Sequence, residues 1–83
     1  MYLYLGTNVV VLDDDIIGIF DLDVTSQSHR TRAFLRRAEQ AGQVESATED
    51  LPKSFVLCQG RGQQRVILAQ PNPATLVKRL NRS

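Results

Sequence analysis

The chain has one cysteine, one histidine and no apolar run near the ~20 residues of a membrane span. Each shortage excludes something. A lone Cys58 cannot build an internal disulfide framework, and it offers no zinc-ligand spacing. A lone His29 must serve in any histidine-based triad, yet Arg30 and Arg32 beside it would not raise its basicity. The opening residues, Met1 to Leu5, lack the positive segment and cleavage site of a signal peptide. These absences point to a reducing, cytoplasmic setting and a non-enzymatic role. No cofactor, metal, membrane or small-molecule substrate is expected.

What is present is a small domain with an uneven charge distribution. With 83 residues the chain makes one domain over 1–83. A chain of this size buries roughly 60–65% of its unfolded surface, too little to enclose a large substrate pocket. The net charge of +1 hides a division. Residues 1–25 carry five aspartates (Asp13, Asp14, Asp15, Asp21, Asp23) and no Lys or Arg. Residues 26–83 carry all ten cations against Glu39, Glu45, Glu49 and Asp50, a balance of +6. A total near zero argues against indiscriminate polyanion binding, but the division permits a basic face and an acidic one. Scattered, solvated charge fits the same numbers.

Periodicity predicts an α+β domain of five or six short strands and two helices, in one antiparallel or mixed sheet. Tyr2–Leu5 and Val9–Leu12 flank Gly6-Thr7-Asn8 as a hairpin. Asp13 and Asp14 make a turn. Ile16–Phe20 is a strand, with Gly18 marking a bulge or a close backbone approach. Ser26 or Ser28 caps a helix from His29 to Ala41, whose apolar stripe is Phe34, Leu35, Ala38 and Ala41. Gly42 ends it. Gln43–Ala47 is weakly strand-like, and Lys53–Cys58 and Arg65–Ala69 form a hairpin around Gly60-Arg61-Gly62. Asn72 and Pro73 open a last helix that runs to about Asn81.

Three of these strands are apolar without a break: Ile16 to Phe20, Phe55 to Cys58, and Val66 to Ala69. Both of their faces need cover, and two helices cannot supply it. A homo-oligomer is therefore expected, with Ile17, Ile19 and Phe20 at the interface. A monomer whose runs are simply short remains the alternative.

The arginines are the candidates for binding. At 100° per residue, Arg32 and Arg36 lie opposite the Phe34/Leu35/Ala38 stripe, while Arg30 and Arg37 share a flank. Lys53, the hairpin pair Arg61 and Arg65, and Lys78, Arg79 and Arg82 add to them. Arginine forks match phosphate geometry, and a row of them tracks a duplex backbone. A solvated helix face with pairs such as Arg36–Glu39 accounts for the same residues. No aromatic interleaves the arginines, so a single-strand stacking platform is not indicated. The Asp13–Asp15 run lacks the spacing of a calcium loop and reads as a turn. Gly60-Arg61-Gly62 is too short for a phosphate loop.

The opening MYLYLG (Met1 to Gly6), the run DIIGIFDLD (Asp15 to Asp23) and LPKSF (Leu51 to Phe55) resemble the RemA family of extracellular-matrix regulators. The RemB branch is the nearer match. The resemblance runs from Met1 to about Arg79. It takes in Ala41-Gly42, Val44 to Thr48, Val66-Ile67-Leu68, Pro73 to Leu76, and Arg79-Leu80. It implies a bacterial regulator of biofilm genes that binds duplex DNA as a homo-oligomer, a closed ring presenting repeated basic elements. Two departures bear on that activity. RemA-like sequences carry arginine where this chain has Asp15, and adjacent arginines where it has Asp50 and Leu51; only Lys53 keeps a positive charge nearby. Arg30, Arg32, Arg36, Arg37, Arg61 and Arg65 then become better DNA-binding candidates than that loop. The alternative is a self-assembling interaction module that does not bind DNA.

Overall fold

The computed structural model describes residues 1–6, 8–25 and 27–81. Thr7 of the first turn, Ser26 as an alternative cap, and Arg82 lie outside these residues. Strands β1 (Tyr2–Tyr4) and β2 (Val10–Leu12) form an antiparallel hairpin in the register Tyr2↔Leu12, Leu3↔Val11, Tyr4↔Val10. The Leu5 amide donates to the Val9 carbonyl at 2.9 Å. Asp13–Asp15 makes a single 3-10 turn, and β3 follows as Ile16–Asp21.

A one-turn helix α1 (Leu22–Thr25) then starts on Asp21, whose Oδ1 accepts from the Val24 amide at 3.0 Å. The two helices expected from periodicity do not include this one, because a single turn is too short to show a helical period. Helix α2 (His29–Gln40) is capped by Ser28, whose Oγ accepts from the Thr31 amide at 3.5 Å. Its far end closes in a full Schellman arrangement. Gly42 takes φ +72°, its amide bonds the Glu39 carbonyl, and the Gln43 amide bonds that of Ala38. Strands β4 (Val44–Ser46), β5 (Ser54–Gly60) and β6 (Gln63–Ala69) lead to α3 (Pro73–Asn81). Asn72 caps α3: its Oδ1 accepts from the Thr75 amide at 2.9 Å and from Thr75 Oγ1 at 3.1 Å.

The fold class is α+β, and the sheet is mixed. Its strand order is β3-β5-β6-β4, antiparallel except for the parallel β4–β6 pair. The six strands do not share one sheet, however. The β1–β2 hairpin forms a two-stranded sheet of its own and turns Leu3, Leu5 and Val11 onto Val56, Cys58, Ile67 and Ala69, where Leu76 of α3 completes the layer. The opposite face carries α2, with Ala38, Phe34 and Leu35 against Phe55, Val66, Leu57 and Leu68. Alternation along β5 and β6 sends successive residues to these two layers. The hairpin thus provides cover that sequence counting assigned to a neighbouring chain.

Cover is least complete along β3, an edge of the sheet. The register slips between Ile16↔Cys58 and Gly18↔Leu57, so Ile17 is the extra residue of a bulge. It stands 58% exposed. A Cβ on Gly18 would meet the Phe20 ring at 2.6 Å, which is the close approach that this glycine permits. Phe20 in turn stacks on Phe55, ring centroids 5.0 Å apart.

Candidate nucleic-acid interface and exposed strand surfaces

The four arginines of α2 lie within one helix, Arg30 and Arg37 separated by about 10 Å along its axis. Packing of Phe34, Leu35 and Ala38 on the sheet leaves all four exposed. Their surroundings differ. Arg30 borders a groove of about 300 Å³ lined by Phe20, Thr31, Phe34, Phe55 and Leu57. Arg32 donates from Nη1 to the Gln27 carbonyl at 3.2 Å and so also braces the entry to its helix. Arg36 and Arg37 lie farther along, and Arg37 stands in the last turn, where the helix dipole favours a cation.

The remaining candidates do not join this row. Lys53 precedes β5; its amide donates to the Ala69 carbonyl, and its carbonyl accepts from Leu22 of α1. Arg61 occupies the β5–β6 turn at φ +55°. The length of β5, roughly 20 Å, separates these two cations. Arg65 projects to the sheet face opposite α2 and pairs with Glu45 on β4. It lines a second cavity, about 320 Å³, shared with Arg61, Gln63, Asp15, Tyr2 and Cys58. Asp15 therefore stands in the same cavity as the two hairpin arginines. Arg65 and Arg61 belong to a locally compensated cluster, whereas α2 carries four exposed arginines against the single acid Glu39.

Burial pushes the Cys58 thiol above its ordinary value; Arg65 pulls the other way, and Asp15 and Glu45 add to the rise. A buried, protonated thiol is a small hydrophobe. His29 is exposed at the first position of α2. Among the described residues no group of three or more His, Cys, Asp or Glu side chains is placed to hold a metal ion. Among the same residues no helix is long and apolar enough to cross a membrane.

The three residues expected at an oligomer interface have separate fates within the chain. Ile19 packs against the hairpin-side core. Phe20 sits at the rim of the apolar groove, and Ile17 faces solvent from the bulge. Sequence reasoning missed a different exposed surface, the outer side of the β1–β2 hairpin, formed by Tyr2, Tyr4, Val10 and Leu12. Tyr2 and Tyr4 at i and i+2 were the available signal, but every residue from Met1 to Leu5 is apolar or aromatic. The inner and outer faces were therefore indistinguishable. No protein-family model matches the chain, and no curated protein matches it.

Proposed function

We propose that this protein is a non-enzymatic regulator of the RemA/RemB type, a homo-oligomer that binds duplex DNA and influences biofilm-matrix genes. The observation that supports this reading is the solvent-facing arginine run on α2, held by a helix whose other side is committed to the core. Such a face makes phosphate contacts that position a duplex without reading its bases. Repetition around an assembly multiplies individually weak contacts through effective concentration.

The test is a gel shift across a salt series. Wild type should bind duplexes of unrelated sequence with a steep salt slope. Replacing Arg36 and Arg37 by Gln should weaken binding to all of them and flatten that slope by about two, one for each lost phosphate contact. Arg32 is less suitable, because it also braces Gln27. Base-specific loss, or no loss, would refute the assignment to α2.

A second reading, a self-assembling module that does not contact DNA, draws on Asp50 and Leu51, which leave the loop before β5 without arginines, and on the Arg65–Glu45 pair. Absence of any shift at low salt would favour it.

A further inference from the structure

We propose that the outer face of the β1–β2 hairpin is a self-association surface, on which a second copy of this chain packs face to face about a two-fold axis. A hairpin laid over a core ordinarily alternates apolar inward and polar outward. This one is apolar on both sides. Leu3 and Val11 point inward and are buried. Tyr2 and Tyr4 point outward at 63% and 65% exposure, with Leu12 and Val10 directly across at 41% and 39%. The four side chains form a contiguous patch, because Tyr2 pairs with Leu12 and Tyr4 with Val10.

Size and chemistry select the occupant. The patch offers roughly 400 Å² of apolar side chain, within the range of functional patches on monomers. Two copies bring together about 800 Å² of these side chains, so the contact clears the ~1,000 Å² minimum of a specific interface only if the rim around Arg79 takes part. The four side chains carry no charge, so the surface is compatible with itself and needs no partner of opposite sign. Its two rows also differ in bulk. A two-fold axis parallel to the strands sets the tyrosine row of each copy over the Val10/Leu12 row of the other, large against small. Arg79 lies at the rim, its Nη1 bonded to the Tyr4 carbonyl at 3.1 Å. Tyrosine and arginine are the residues that most often dominate such contacts. The surface is distinct from Ile17 and Phe20 on β3. The proposal rests on the self-assembly in the reading above and not on its DNA binding.

The chain has no tryptophan and only these two tyrosines, so its intrinsic emission reports this face alone. Sedimentation of the full chain at up to about 100 µM should give a mass of an even number of copies. Acrylamide quenching of tyrosine emission should rise several-fold on dilution to the monomer. A monomer throughout that range overturns the proposal; so does association that leaves quenching unchanged. The variant carrying Tyr2→Lys and Tyr4→Lys should keep its far-ultraviolet circular dichroism and associate at least tenfold more weakly. Unchanged association of the folded variant overturns the proposal as well. If the variant does not fold, the quenching of wild type decides. A dimer that passes these tests but shifts no DNA leaves this surface standing and removes only the DNA-binding reading.

Discussion

Cys58 and Ser54 show how single buried groups in β5 respond to their surroundings. The Cys58 thiol is raised from its ordinary value of 9.0, chiefly by burial. The folded state therefore holds its proton more tightly than the unfolded chain. Its contribution to stability is complete below pH 9.0 and declines as pH rises through the higher folded value. Denaturant midpoints should accordingly fall above that pH in wild type, and Cys58→Ala should lose this part of the slope. Ser54 is fully buried, and its Oγ donates to the Pro71 carbonyl at 2.8 Å, tying β5 to the turn before α3. Ser54→Ala should cost about 1–2 kcal/mol in urea unfolding, because the partner carbonyl loses its donor. Neither role was legible in the sequence. A serine or cysteine in a strand pattern does not reveal what lies across the sheet.

Among the elements, β3 and α3 differ in what they commit to the core. Patterning found both, since the aspartate turn before Ile16 marks the start of β3 and Asn72-Pro73 marks that of α3. It could not assign faces within β3, because a bulge at Ile17 breaks the period of two. Ile19 is half-buried against the hairpin-side core, so Ile19→Asp should lower the melting temperature well below that of wild type, since an unpaired carboxylate held partly out of water is costly against the stability of a small domain. Ile17→Asp should leave circular dichroism and melting nearly unchanged, and any loss of association would locate a contact at this edge. Equal behaviour of the two variants would contradict the register. In α3, Leu76 is fully buried among the hairpin and sheet residues. Leu76→Ala should cost 2–5 kcal/mol by the usual cavity effect, measured by chemical denaturation.

For the molecule as a whole, layering decides which charges act together. Ten cations against nine acids carry no instruction about geometry. The fold gathers Arg30, Arg32, Arg36 and Arg37 on one helix and sends Arg65 through the sheet to the opposite face, beside Glu45 and Asp15. Changing Asp50 and Leu51 to arginine should strengthen duplex binding at low salt, because both are exposed and the change adds three units of positive charge. Binding by this variant and none by wild type would show that the chain lacks a contact which RemA-like loops make.

The sequence alone determined the α+β class, the helix limits at Gly42 and Asn72, and the hairpin about Gly60-Arg61-Gly62, and it narrowed the start of α2 to Ser26 or Ser28. These features depend on local chemistry: capping oxygens, a left-handed glycine, and alternation between turn residues. Tertiary structure alone decided that β1 and β2 leave the main sheet and cover it, that Ile19 turns inward while Ile17 does not, and that Tyr2 and Tyr4 face outward. Each of these is a choice between faces of apolar strands. Where both faces read alike in the sequence, only the burial of one against the rest of the chain breaks the tie.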